Sequence, residues 1–352
     1  MVIGVWAYLD NNIGDDLMIK LLAENFQEHT FLLYSDKTVV KNTFKDFTNI
    51  VVKSLKEMND DIEQMKVFIS IGGSIFNNLN TLKGKVSRLK RIWFINKLKR
   101  KKIKLATIGC NLGPYSDKIG PFLTKVELRK NDLITVRDKE SFTLLESFKS
   151  IDNYHLADDI VYLLDKRKFT ERDDSLGITA YRSLKQDECN YDNYLVLSKM
   201  VDQYIERTGK EVKLFAFDSE NENDLSAAHH IWDLSKNKQK VRIIPYLGDI
   251  ERFLKEFSSC DRHIAIRFHG AILSDLFGIP FLPIVYSNKM LNFLNDNEHK
   301  GDIIMLKDLK MSNINVEEIV KKLISREALF YSKNSSKKSK SHFAELRNLI
   351  NQ

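Results

Sequence analysis

Along the first 165 residues, short runs of β-branched and apolar side chains alternate with stretches whose apolar positions recur three and four residues apart. The runs predict strands at Val2–Tyr8, Thr30–Tyr34, Asn49–Val52, Val67–Ile71, Lys104–Ile108, Leu133–Val136 and Tyr154–Ala157. The periodic stretches predict helices at Asp16–Phe26, Val86–Lys101 and Lys139–Phe148. Strand–helix alternation with short connections implies a parallel sheet covered by helices, with ligands at the carboxyl ends of the strands. The charged segment Asp165–Ser175 interrupts the pattern, which then resumes. Strands are predicted at Leu176–Ala180, Val212–Ala216, Val241–Pro245, His263–Arg267 and Phe281–Tyr286, and helices at Tyr191–Thr208, Glu222–Lys236, Asp249–Ser259 and Ala271–Phe277. A later helix over Val316–Phe330 precedes the polar stretch Ser332–Ser341 and a terminal helix, His342–Ile350, that could cross back onto the first domain. The expected organisation is thus 1–168, 169–330, and a polar connector with a C-terminal helix over 331–352. The two domains are expected to face each other across a cleft, one substrate held by each.

The length of 352 residues accommodates two such cores, and a composition 43% hydrophobic and 29% charged excludes disordered and collagen-like chains. No apolar run reaches the ~18 residues of a spanning helix, and MVIGVWAYLD lacks the pattern of a secretory leader, so a cytoplasmic location is expected. Cys110, Cys189 and Cys260 form no CxxC pair and read as small core hydrophobes. No HExxH or HxH spacing occurs among the eight histidines, and His229-His230 sits on a helix where neighbours diverge, so no metal is expected.

Several turns carry candidate chemistry. Asn11-Asn12-Ile13-Gly14-Asp15-Asp16 follows the first strand and opens the first helix; Gly14 permits a tight turn, and Asp15 or Asp16 can cap the helix. A capped strand-to-helix turn without further role explains the same residues. Gly72-Gly73-Ser74 lets backbone amides approach an anion or sugar, and Gly109-Cys110-Asn111-Leu112-Gly113-Pro114 offers a polar turn at the same sheet edge. In Arg267-Phe268-His269-Gly270-Ala271, the arginine and histidine are two positions apart on an extended segment and point to one side, beside a helix N-terminus. Arg182 and Lys289 follow two other strands of the second domain. Three cations and a histidine at strand ends suit a small polyanion carrying phosphate and carboxylate.

NNIGDD, ISIGGSIF, GCNLGP, VRDKES, HLADDIVYLL, ITAYRS and IRFHGAILSDLFGIPFLPIVYSNK resemble, in order and spacing, the polysaccharide pyruvyl transferase family, from about Ile3 to Lys289. The resemblance implies two Rossmann-like domains in a GT-B-like arrangement. It further implies transfer of a pyruvyl group from phosphoenolpyruvate, as co-substrate with no cofactor, to a saccharide as a ketal, in cell-surface polysaccharide or exopolysaccharide biosynthesis. Arg267 and His269 would match the family's active-site arginine and histidine, and Arg182 the arginine after the first strand of its second domain. Gly14 and Asp15 match the glycine and acid of the N-terminal turn, and Gly72 and Gly73 the first-domain glycine turn. The family's GGG reads Gly72-Gly73-Ser74 here, and its acid-proline reads Asp158-Asp159. Ketal formation from an enol phosphate needs a proton on the methylene carbon, which assigns His269 as general acid. Arg182, Arg267, Lys289 and the Gly270 turn would hold the donor. Asn12, Gly14, Gly72, Gly73 and Ser74 would hold the acceptor, with Asp15 orienting or deprotonating its hydroxyl.

The charge of +7 is local: Lys83–Lys104 carries 11 basic residues and no acid, and the chain without them stands at −4. On a helix, Val86, Leu89, Ile92 or Trp93, and Leu98 can line the buried side while cations project outward. A solvated helix face accounts for this pattern. A docking surface for an anionic membrane or a lipid-diphosphate-linked acceptor, using Arg88, Arg91, Trp93 and Lys97, accounts for the excess charge and would make the protein peripheral at the inner membrane face. No nucleic-acid motif accompanies the patch. A GT-B nucleotide-sugar glycosyltransferase fits the same architecture, and so does a catalytically lapsed, membrane-docked scaffold.

Overall fold

The computed structural model describes residues 1–76, 81–183, 189–220, 222–327, 329–330 and 338–352, with the side chains of 189 and 190 outside that description. The expected reading of Cys189 as a core residue, and of 331–337 as a connector, therefore lies outside the described residues.

Thirteen strands and twelve α-helices occur among the described residues. The first sheet contains β1 (Val2–Trp6), β2 (Thr30–Tyr34), β3 (Ile50–Lys53), β4 (Met65–Ile71), β5 (Lys104–Cys110), β6 (Leu133–Val136) and β7 (Tyr154–Leu156). Its helices are α1 (Ile13–Asn25), α2 (Thr38–Thr43), α3 (Leu82–Arg100), α4 (Ile119–Leu128) and α5 (Lys139–Ser147). The strand order is β3-β2-β1-β4-β5-β6-β7, all pairs parallel, with Val5 beside Leu33 on one side and Ile69 on the other. Chain direction across the sheet reverses between β1 and β4, so the turns after these strands flank the topological switch point.

The second sheet contains β8 (Leu176–Thr179), β9 (Val212–Ala216), β10 (Val241–Pro245), β11 (Arg262–Ala265), β12 (Phe281–Val285) and β13 (Ile304–Met305). Its helices are α6 (Cys189–Thr208), α7 (Asp224–Leu234), α8 (Ile250–Ser259), α9 (Phe268–Phe277), α10 (Asn288–Asp296) and α11 (Val316–Ser325). The order β10-β9-β8-β11-β12-β13 is again parallel, with its switch point between β8 and β11. The chain divides into one unit of Met1–Leu9, Asp15–Leu163 and Ser336–Gln352 and another of Asp10–Gly14 and Leu164–Ser335. The terminal helix α12 (Lys340–Asn351) thus belongs with the first sheet, where it packs on β5 and β6.

Local chemistry sets the helix boundaries. Thr81 accepts the Gly84 amide at 3.0 Å to open α3, Asp138 the Ser141 amide at 2.7 Å to open α5, and Asp249 the Arg252 amide at 3.0 Å to open α8. At α9 the chain leaves the helix through Gly278 in the left-handed region, φ 68°. In the first unit Leu32, Phe68 and Leu105 pack against Phe94, Ile95 and Leu98 of α3. In the second, Ile178, Leu214 and Ile264 pack with Met200, Val201 and Tyr204 of α6. Side chains as fully buried as Leu98 contribute about 1.5–3 kcal/mol each. Cys110 and Cys260 sit in these interiors, where burial pushes both thiols up to about 12, so they pack as neutral groups.

Candidate active site

The site of the second unit starts at its switch point. The Thr179 hydroxyl at the end of β8 accepts the Ile266 and Arg267 amides at 2.7 and 3.0 Å, which fixes the chain leaving β11. The expected strand over His263–Arg267 ends at Ala265: Arg267 is the N-cap residue of α9 and His269 lies in its first turn. Arg267 keeps an extended backbone, φ −74° and ψ 138°, while His269 is helical, so the two side chains are placed by a strand-to-helix junction at the positive end of the α9 dipole. Gly270 follows where Thr179 crosses behind it; a Cβ there would lie 2.6 Å from the Thr179 Cγ2.

Aromatic rings gather the neighbouring turns. Tyr181 stacks on Tyr286 with centroids 4.1 Å apart, and the Arg267 guanidinium lies over Tyr181 at 5.4 Å. Arg182 follows Tyr181 and is exposed; Lys289 lies in the first turn of α10, three residues after Tyr286. Three strand ends, those of β8, β11 and β12, thus bring their cations to one edge.

Two acids missed by sequence reading face Arg267. Glu222 pairs with its Nη1, and the Asp224 Oδ2 lies 3.4 Å from its Nε. Asp224 is fully buried and accepts the Asp218 amide at 3.1 Å; burial, reinforced by the Asp218 carboxylate, pushes its pKa well up and favours the neutral acid. Glu222 is the more solvent-accessible of the two acids beside Arg267. Both acids precede or open α7, 45 and 43 residues before Arg267, a proximity only the fold creates.

The segment Asp10–Gly14 groups with the second unit. Asn11 Nδ2 donates to the Tyr246 carbonyl at 3.2 Å, Ile13 N to the Phe217 carbonyl at 3.2 Å, and Asn12 forms a bridge with Asp218. Asn12, rather than the expected Asp15 or Asp16, caps α1 by accepting the Gly14 amide at 3.0 Å. Gly14 lies against His269 so closely that a Cβ would come within 1.8 Å of the ring's Nδ1. The absent side chain is thus a requirement of the histidine's position.

In the first unit, Gly72 has φ 138°, a conformation reserved for glycine, and a Cβ on it would lie 3.3 Å from an Asp15 carboxylate oxygen. Gly73 packs under the Arg137 guanidinium, 2.0 Å from the place a Cβ would take, while Ser74 is exposed. Arg137 was not predicted as a site residue, although it lies within VRDKES. Its Nη1 donates to Asp159 at 2.6 Å and its Nη2 to Asn111 at 3.0 Å, and Asn111 N donates to the Gly73 carbonyl at 2.8 Å. One guanidinium therefore laces the turns after β4, β5, β6 and β7. Of the Asp158-Asp159 pair it is Asp159 that makes this contact; the Asp158 carbonyl accepts His342 Nε2 at 2.7 Å.

The basic helix differs most from expectation. Arg88 and Arg91 are turned inward to the buried Glu127, each at 2.7 Å, and Arg91 also reaches the Ser70 hydroxyl at 2.6 Å. Burial would raise the Glu127 pKa, but Arg91 and Arg88 hold it below the ordinary carboxylate range. These two arginines are internal counter-ions and cannot dock a surface. Val86 and Leu89, expected inside, are 45 and 54% exposed; of the alternatives Ile92 and Trp93, Ile92 is buried and Trp93 is 67% exposed, whereas Lys97 reaches the Asn59 side chain at 3.1 Å. No described helix is long and apolar enough to cross a membrane.

Two Rossmann-like parallel-sheet units, each with its own switch point, define a GT-B-like fold, and solved structures agree. The UDP-GlcNAc 2-epimerase of Methanocaldococcus jannaschii, in complex with UDP-GlcNAc and UDP, aligns over 100% of this chain and 99% of its own with a TM-score of 0.60 and 11% identity. Anabaena HepE in complex with UDP-glucose aligns over 92% and 88% at 0.56 and 9% identity, and a Rickettsia africae glycosyltransferase over 92% and 87% at 0.52 and 13%. These likenesses concern the fold. No match is found among curated protein sequences. The polysaccharide pyruvyl transferase family matches residues 12–288, and the chain belongs to that family.

Proposed function

We propose that the protein transfers a pyruvyl group from phosphoenolpyruvate to two hydroxyls of a saccharide used in cell-surface polysaccharide or exopolysaccharide assembly. The observation that carries this reading is the meeting of Arg267 and His269 at the N-terminus of α9, with the turns bearing Arg182 and Lys289 drawn in by the Tyr181–Tyr286 stack. Arg267 would take the donor's phosphate or carboxylate in exchange for Glu222, and Arg182 and Lys289 would take the remaining charge. His269 delivers a proton to the methylene carbon. One acceptor hydroxyl adds to the adjacent carbon as phosphate leaves with its bridging oxygen, and the second hydroxyl closes the ketal. Of the two protons the hydroxyls release, one replaces that given by His269 and the other leaves with phosphate. Asp15 beside Gly72 and the turn Gly73-Ser74 are assigned to the acceptor.

The test is incubation with phosphoenolpyruvate and candidate saccharides, following phosphate release and the mass of the sugar. Phosphate release coupled to a pyruvate ketal on the sugar, lost in His269→Ala, is expected. Transfer of a sugar from a UDP-sugar instead would establish the second reading, which the UDP named in several structural neighbours favours.

A further inference from the structure

The outward side of α3 is apolar where solvent should select polar residues. Leu82, Val86, Leu89 and Trp93 are 80, 45, 54 and 67% exposed. Their spacings of four, three and four residues, at about 100° per residue, put them on one stripe along the helix. Of the residues α3 buries, Ile95 and Leu98 occupy the opposite side and Ile92 the flank between. Helix α4 packs alongside through Leu123 against Ile92 and adds Ile119 and Phe122, 51 and 62% exposed. Single exposed apolar residues are ordinary, but six large ones on two adjoining helices constitute a patch.

Charge identifies what covers it. Lys83 and Lys90 on α3 and Lys118 ahead of α4 are exposed beside the stripe. Neither helix carries an acid other than Glu127, which is buried between Arg88 and Arg91, and the exposed Asp117 ahead of α4 is paired with Lys85. An amphipathic surface with apolar side chains in the middle and uncompensated lysines at its margin matches the interface of an anionic bilayer, where acyl chains take the first and headgroup phosphates the second. We propose that the Leu82–Trp93 stripe of α3, with Ile119 and Phe122 of α4, is a peripheral docking surface for anionic membranes. Insertion of the apolar stripe carries the attachment, and the lysines select the lipid.

The experiment is flotation of the full-length protein with vesicles of phosphatidylcholine alone or mixed equally with phosphatidylglycerol. Binding to the mixed vesicles at least about tenfold stronger than to phosphatidylcholine is expected, with a blue shift of Trp93 fluorescence. The Leu89→Ser/Trp93→Ser/Phe122→Ser variant should lose about tenfold or more of that binding while melting with the wild type, since the replaced side chains are exposed. Lys83→Gln/Lys90→Gln/Lys118→Gln should lose the preference for phosphatidylglycerol. Absence of wild-type flotation, wild-type binding by the triple serine variant, or a dimer in solution that the serine variant converts to monomer would each overturn the proposal.

Discussion

Replacing Gly14 by alanine isolates the position of His269 from its identity. The Gly14 backbone does not need a positive φ, so alanine is conformationally acceptable there, yet its Cβ would sit 1.8 Å from Nδ1, 2.3 Å from Cε1 and 2.4 Å from Cγ of His269. Ordinary contact begins at 3.4 Å, so the imidazole must retreat by about 1.6 Å. A misplacement of about 1 Å in a reacting group costs on the order of 100-fold in rate, while forcing one methyl into a packed site costs about 1–3 kcal/mol of stability. Gly14→Ala should therefore lower turnover about 100-fold or more, with phosphoenolpyruvate affinity changed less than about fivefold, because Arg267 is untouched. Turnover is read as phosphate release at saturating donor and acceptor, affinity by calorimetry, and folding by denaturant titration. The double variant with His269→Ala should be no slower than His269→Ala alone, since both remove one function. Turnover within threefold of wild type in a folded Gly14→Ala protein would refute the assignment of His269 as proton donor.

Glu222→Gln replaces the more accessible acid beside Arg267 and should tighten phosphoenolpyruvate binding about fivefold, measured calorimetrically; weaker binding would show that Glu222 orients the arginine instead of competing for it. Glu127→Ala leaves Arg88 and Arg91 buried without a counter-ion and should cost about 3–5 kcal/mol in urea unfolding, whereas breaking an exposed pair such as Lys101–Glu63 should leave the unfolding midpoint nearly unchanged. His342 is fully buried, donating from Nε2 to the Asp158 carbonyl and accepting the Thr135 hydroxyl at Nδ1, each at 2.7 Å. Burial lowers its pKa to about 4, against the hydrogen bond to Asp158. The folded state thus refuses a proton that the unfolded chain accepts near pH 6.5, so stability is full above that pH and falls by about 3 kcal/mol toward pH 4. His342→Gln should flatten this acid limb; an unchanged limb would mean that other groups, such as His263, set it.

The strands were legible because parallel strands are dominated by apolar, β-branched side chains: β2, β6, β9 and β10 match their expected bounds, although Lys213 interrupts β9 and the exposed Arg242 interrupts the edge strand β10. The short helices α4 and α10, ten and nine residues long, were not, although Met290, Phe293 and Leu294 of α10 recur three and four apart. Arg267 and His269 were singled out from residue type and position after a strand, but β11 ends at Ala265, two residues before the expected end, which changes the geometry that relates them. Arg137 escaped notice because its role exists only once four separate turns meet. Arg88 and Arg91 looked like surface charge because Glu127, their partner, stands 39 and 36 residues away. A buried counter-ion of that kind leaves no local mark in a sequence, whereas the exposed stripe on α3 does, as apolar spacing that the fold leaves uncovered.

Calorimetric titration of phosphoenolpyruvate into the wild-type protein and Arg267→Ala, beside UDP-sugars, decides whether the second unit binds the enol phosphate. Saturable binding of phosphoenolpyruvate to the wild type, weakened at least about tenfold in the variant, is expected, with no UDP-sugar binding of comparable strength. Binding of a UDP-sugar in place of phosphoenolpyruvate, or phosphoenolpyruvate binding indifferent to Arg267, would contradict the proposed function.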